Sequence, residues 1–157
     1  MNIKLVVVGK TDENYLNHGI GIYLKRLTRY VSFEIVELPN VKDAKNLSPA
    51  VLKDKEADMI LKHASKADRI VLFDERGTEY GSVEFADYLQ MQMNQGIKTL
   101  VFVVGGAYGF SEKVYRQAHH KIAVSRMTFS NQMVRLLIVE QIYRAFTILK
   151  SEPYHKV

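Results

Sequence analysis

The chain has no cysteine among its 157 residues. That absence excludes disulfides, thiolate metal ligands and cysteine nucleophiles together. No apolar run approaches the roughly 20 residues that cross a bilayer. The N-terminal stretch MNIKLVVVGK is too short in its apolar part for a secretory signal and lacks a cleavage-like site. Its valines fit a buried first strand. Internal repeats, low-complexity tracts and linkers are also missing. His119 and His120 precede a strand-like segment, but neighbours on an extended chain point to opposite faces, and no further ligands complete a metal site. His18 and His63 lie in helical segments with no ligand constellation either. The expectation is one soluble domain over residues 1–157, with no metal and no membrane, and a cytoplasmic setting as the simplest reading.

What is present is ordinary globular composition, 47% hydrophobic and 25% charged, with a net charge of +5. The basic excess favours an anionic partner such as RNA, though only modestly. Lys25, Arg26 and Arg29 cluster on one predicted helix. Such a cluster is either a solvated face or a meeting point for phosphates.

Strand-like and helix-like segments alternate along the chain. Strands are predicted at Ile3–Gly9, Phe33–Leu38, Arg69–Phe73, Thr99–Val104 and Lys121–Val124. Helices are predicted at Glu13–Tyr30, from Ser48-Pro49 to Ser65, from Ser82 to Gln95, from Ser111 to Ala118, and from Asn131 to Lys150. Lys42–Asn46 reads as a polar loop and Asp74–Gly77 as a turn. This alternation implies an α/β fold with a mostly parallel five-stranded sheet flanked by helices. LVVV and LVFVV are continuous apolar runs, as strands buried on both faces require. Ligands of such sheets bind beyond the carboxyl ends of the strands, which directs attention to the loops after Phe73, Val104 and Val124.

The loop Gly105-Gly106-Ala107-Tyr108-Gly109 follows the fourth strand. It is neither G-x-G-x-x-G nor a Walker loop. Two readings stand: a turn that needs positive φ, or a place where a ligand approaches bare backbone. No lysine or arginine lies inside it, so a nucleoside suits it better than a triphosphate. In VSRMTFSNQ, the residues Ser125, Thr128, Ser130 and Asn131 can cap the final helix or hydrogen-bond a ligand. That helix is apolar around half or more of its circumference, with Leu137 and Ile148 on the far side. One small sheet covers only one side of it, so a homodimer is expected. Arg135 projects into the apolar arc, either as one half of a buried salt bridge or facing a cleft that takes an anion. The Glu140/Arg144 pair has the favourable i,i+4 order.

Taken together, VGGAYGFS, VSRMTFSNQMVRLLIVEQIYRAFTI and the terminal PYH resemble the ribosomal RNA large-subunit methyltransferase H family, small SPOUT-class enzymes. The resemblance runs over essentially the full chain. It implies a C-terminal trefoil knot, S-adenosylmethionine as cofactor, a homodimer that completes the active site, and methylation at N3 of a pseudouridine in 23S ribosomal RNA within the ribosome. Carried over by motif, the cofactor residues are Phe73, Gly105, Val124, Ser125, Arg126, Met127, Thr128 and Phe129. Tyr154 and His155 sit where a frayed tail is the local expectation. The resemblance implies instead that they fold over the site, that of the partner subunit included, with His155 as the base and Arg135 holding substrate or the cofactor carboxylate. Asn131 stands where the family commonly has histidine; it keeps hydrogen bonding but does not titrate near neutrality. A non-enzymatic nucleotide-binding module and a SPOUT enzyme of another RNA site are the competing readings.

Overall fold

A computed structural model describes residues 1–156; Val157 lies outside the described residues. Five strands form one sheet in the order β2-β1-β4-β3-β5, and every neighbouring pair is parallel. The strands are β1 (Asn2–Val8), β2 (Ser32–Leu38), β3 (Arg69–Glu79), β4 (Thr99–Val104) and β5 (His120–Ala123). The helices are α1 (Asn14–Leu27), α2 (Pro49–Ala64), α3 (Ser82–Asn94), α4 (Glu112–Gln117) and α5 (Met133–Leu149). The polar segment before α2 contains a short 3-10 turn, Ala44–Asn46.

The period-two alternation of side chains sorts the core into two layers. Ile3, Leu5, Val7, Val71, Leu100 and Phe102 point to the face that α1, α3 and α5 cover. Val6, Ile70, Leu72, Val101 and Val103 point to the face covered by α2 and α4. Both faces are therefore apolar, which is why these strands read as unbroken hydrophobic runs.

The local signals behave largely as expected. Ser48 caps α2 by accepting from the Val51 amide at 3.3 Å, and Pro49 takes the first helical position. Gly96 ends α3 at φ +76°. The cap of α3 differs from the sequence reading. Gly81 takes the N-cap position, and its amide is satisfied by the Glu84 carboxylate at 2.7 Å. Ser82 instead donates to Gln141 on α5 at 3.0 Å, tying the two helices. Similarly, α5 starts at Met133, where the Ser130 hydroxyl accepts from the first helical amide at 3.0 Å.

The strand β3 departs most from expectation. It does not stop at Phe73 but continues to Glu79, with the ladder to β5 broken between Phe73 and Thr78. Residues 74–77 bulge out of the ladder and return to it. The bulge re-aims their side chains toward the end of the sheet. Gly77 permits the return: a Cβ there would stand 2.7 Å from the backbone of Ile122 and Lys121. No side chain fits between two main chains at that separation. Gly77→Ala is therefore expected to part β3 from β5 and to destabilise the fold by about 1–3 kcal/mol, read as a lower denaturation midpoint.

Candidate functional site

β1, β4, β3 and β5 lie side by side, and the turns after the last three converge at the carboxyl end of the sheet. There they enclose a cleft of about 580 Å³. One wall is the bulge at Phe73–Arg76, the floor is the loop Gly105–Phe110, and the second wall is the segment Val124–Asn131. Of the residues carried over as cofactor contacts, Phe73, Gly105, Val124, Ser125, Met127, Thr128 and Phe129 all line this cleft. Arg126 does not. Its guanidinium turns outward to Glu79 at 3.5 Å.

The floor is backbone. Gly109 has φ +80° and donates its amide to the Gly106 carbonyl at 3.1 Å, closing a tight turn. A Cβ at Gly105 would sit 3.1 Å from the Gly109 carbonyl oxygen, so the two strands of the turn cross at glycine. Phe73 is braced from behind by Phe102, with ring centroids 5.3 Å apart. Met127 is 75% exposed on the opposite lip.

The walls are cross-linked by polar pairs. The Thr128 hydroxyl donates to Glu75 at 2.9 Å, joining the bulge to the loop after β5. Asp74 accepts from the Tyr115 hydroxyl and from the Arg76 amide. Burial alone would raise the Asp74 carboxyl, but these hydrogen bonds and the neighbouring Arg76 charge together hold it below the ordinary aspartate range. Tyr115 is pushed up, by burial first and then by Asp74. Sequence reasoning did not assign Asp74, Glu75, Arg76 and Tyr115 to the site. The signal was DERG directly after a buried strand, which reads as an ordinary turn until the bulge is seen.

The chemistry of the lining bears on what fits. No lysine lines the cleft, and its single arginine, Arg76, is already turned to Asp74 at 3.6 Å. Two carboxylates, Asp74 and Glu75, border it. Bare main chain and aromatic walls suit a nucleoside, and the carboxylates favour a positive charge over a phosphate. S-adenosylmethionine, a nucleoside with a sulfonium, fits these residues.

The remaining sequence-predicted residues lie elsewhere. Arg135 is 1% exposed and points away from the cleft. It donates to the carbonyls of Asn131 at 2.9 Å, Gly9 at 2.9 Å and Val8 at 2.8 Å, and to the Thr11 hydroxyl at 3.0 Å. Glu37 stands 4.0 Å away. Of the two sequence readings, the buried pair is the nearer, but carbonyls rather than a carboxylate supply most of its partners. Tyr154 and His155 are docked against the middle of α5. Tyr154 donates to Glu140 at 2.9 Å, shares a 3.2 Å contact with the Tyr23 hydroxyl, and lies edge-on to Tyr143. Burial, then Tyr23 and Glu140, push its phenol well above the usual range. Arg144 bonds Glu140 at 2.5 Å and reaches His155 Nδ1 at 3.2 Å. Neither tail residue lines the cleft of its own chain. His119 accepts from the Ile70 amide at 2.9 Å and His120 pairs with Tyr80 at 2.9 Å. No cluster of metal ligands occurs among the described residues.

Comparison with known proteins gives the same picture. Residues 1–155 match a family model described as "Predicted SPOUT methyltransferase". The chain is 52% identical to the ribosomal RNA large subunit methyltransferase H of Flavobacterium johnsoniae over 155 residues, 99% of each chain. It is 53% identical to the protein of the same name from Parabacteroides distasonis, again over 99% of each. Among solved structures it resembles a probable methylase family protein from Haemophilus influenzae, with TM-score 0.59 at 11% identity, covering 99% of this chain and 71% of that one. It also resembles a probable methyltransferase from Bordetella pertussis, with TM-score 0.56 at 11% identity, covering 92% and 96%. These two show the fold.

The geometry of Arg135 makes its own test. Arg135→Met removes the donor to three carbonyls and one hydroxyl, and leaves them dry. It is expected to cost about 3–5 kcal/mol of stability, measured by chemical denaturation.

Proposed function

The chain belongs to the SPOUT methyltransferase family, and from that premise we propose that it uses S-adenosylmethionine to methylate large-subunit ribosomal RNA. The observation that carries this reading is the cleft itself: three neighbouring strand ends that offer main chain, aromatic surface and carboxylates, and no unpaired cation for a phosphate. Relatives about half identical over the whole chain bear the name of that activity. The finer target is N3 of a pseudouridine in 23S ribosomal RNA. A ribosomal substrate sets the work in the cytoplasm, and no helix among the described residues is long and apolar enough to cross a membrane.

The cofactor supplies an electrophilic methyl group when bound. The chain's part is to hold and orient. The Gly105–Gly109 turn and the Val124–Phe129 segment would take the adenosine on their backbone, with Phe73 as a wall. Asp74 and Glu75 would favour the positive centre. Arg126, turned to Glu79, would serve the same loop from outside. Arg135 enters as a positioning residue, because it fixes the Asn131 carbonyl where the cofactor segment ends.

The reaction also needs the N3 proton removed on or near its path. Asn131, on the cleft wall, does not titrate near neutrality. The groups suited to the task, Tyr154 and His155, are docked on the middle of α5, outside the cleft. The site is therefore completed by a second protomer whose tail lies over this cleft. Two features support the dimer. Val134, Leu136, Leu137, Tyr143 and Ile148 on α5 remain only half-buried in the single chain. Ile22, Val83 and Met91 are exposed apolar residues on the helices that flank α5. In this arrangement His155 accepts the proton. While Arg144 donates to Nδ1 that lone pair is engaged, so proton acceptance is coupled to opening of the contact.

The decisive experiment incubates the protein with unmethylated ribosomes and labelled S-adenosylmethionine, then maps the modified nucleotide. Label on large-subunit RNA at N3 of a pseudouridine is expected; label elsewhere, or none, rejects the reading. His155→Ala is expected to lower the single-turnover rate about 100-fold or more while cofactor affinity stays near wild type. An unchanged rate removes His155 as base. Mixed dimers of a His155→Ala protomer with a protomer whose cleft is blocked by Gly105→Val are expected to recover activity that neither homodimer shows.

A further inference from the structure

The buried stripe of α2 runs Leu52, Glu56, Ile60, Ala64, at four-residue spacing. Three of these are apolar, as the position demands. Glu56 is not, yet it is only 6% exposed. A buried carboxyl ordinarily has a cation or a hydrogen-bond donor beside it. Here burial is the one influence on its pKa, which it raises, and no neighbouring charge or hydrogen bond offsets it. Among the described residues, no ion pair to this carboxyl comes from the helix layer that surrounds it.

The group lies against the glycine loop. A Cβ built on Gly106 would stand 2.3 Å from Glu56 Oε2, 2.6 Å from Oε1 and 2.8 Å from the carboxyl carbon. Both oxygens thus occupy the space a side chain at 106 would need. The hydrogen that glycine carries there is directed at them, the geometry of a weak Cα–H···O contact. Gly106 is also the residue whose carbonyl closes the turn with Gly109. One side of the loop therefore faces the cleft, and the other rests on the end of a buried carboxyl from α2.

We propose that Glu56 is a positioning residue for the cofactor loop: its carboxyl seats the Gly105–Gly109 turn from behind, at the height at which the turn meets the ligand. The inference rests on the function proposed above as to which ligand that is. The seat itself does not. An apolar side chain of similar length would set a dry surface against loop main chain, whose amides and carbonyls require polar company. A carboxyl meets that need by setting two polar atoms against the turn.

The test compares Glu56→Ala, Glu56→Gln, Gly106→Ala and the double variant with the wild-type chain, by three readouts. These are calorimetric affinity for S-adenosylmethionine, hydrogen exchange of the loop amides without ligand, and thermal denaturation. Glu56→Ala is expected to weaken cofactor binding at least about tenfold, as loss of a supporting group does at other sites, and to speed exchange across residues 105–109. Glu56→Gln, which keeps shape and polarity, is expected to restore both. Gly106→Ala is expected to weaken binding, and adding Glu56→Ala to it should improve binding, because the space for the new Cβ opens. A purely structural role would lower the melting temperature without that reversal of sign. Should Glu56→Ala not fold, Glu56→Asp, one methylene shorter, takes its place with the same expectations. Wild-type affinity together with wild-type loop exchange in the shortened variant overturns the proposal, as does a double variant worse than either single. If the wild-type chain itself fails to bind S-adenosylmethionine, the functional reading falls, and the exchange comparison alone decides the role of Glu56.

Discussion

A buried cation holds the site in place. Arg135 is shut away from water, and its cost is met by three carbonyls and a hydroxyl drawn from the end of β1, the turn after it, and Asn131 two residues before α5. A guanidinium suits this task because its planar fork of donors reaches several acceptors at once. Its burial also explains why its partners are mostly main chain: carbonyls neutralise it partially without the desolvation of a second full charge. Glu37 is drawn into the same network from β2 by accepting from the Thr11 amide at 2.6 Å. The first two strands and the last helix are thereby fixed to one another, and the segment Val124–Asn131 hangs between fixed points, β5 and the start of α5.

The cleft follows from that anchoring and from the order of the strands. The ladder places β4 between β1 and β3, so the glycine turn after β4 emerges in the middle of the sheet with the β3 bulge beside it. Two of the three segments give up side-chain bulk for main-chain reach where they converge. Gly77 lets β3 return under β5, and Gly105 with Gly109 let the loop after β4 fold on itself. The polar links then set the distance between the walls, Thr128 to Glu75 within the cleft and Arg126 to Glu79 outside it. The lining thus combines bare main chain and aromatic surface with two carboxylates.

Much of this was legible in the residues. Continuous apolar runs gave the doubly covered strands, and Ser48-Pro49 and Gly96 marked helix ends, because those signals act within a few residues of themselves. The glycine loop and the VSRMTF segment stand out through the family pattern, and the structure brings the residues carried over from them, all but Arg126, to one cleft. What was not legible depends on contacts far apart in sequence. Nothing in DERG distinguishes a turn from a bulge; the distinction is made by Ile122, more than forty residues on. Arg135 could be placed on the apolar side of α5 by periodicity, but its partners at Val8 and Gly9 belong to another end of the chain. Glu56 sat unremarked in a charged run, since its neighbours Lys53, Asp54, Lys55 and Asp58 hide a core position among solvated ones.

Asn131 shows how the anchor and the cleft meet. Its carbonyl is gripped by Arg135 while the residue itself lines the cleft, so the end of the second wall is fixed through main chain. Its amide side chain can hydrogen-bond and does not titrate near neutrality. Among the other lining residues, Asp74 is held ionised by Tyr115 and Arg76 and is committed to them, while Glu75 is engaged by Thr128. Both carboxylates of the lining are thus tied into hydrogen bonds within the single chain. Within one chain the lining of the cleft offers groups that bind and orient, whereas the docked tail lies outside it, and it is the proposed second protomer that would bring the two together.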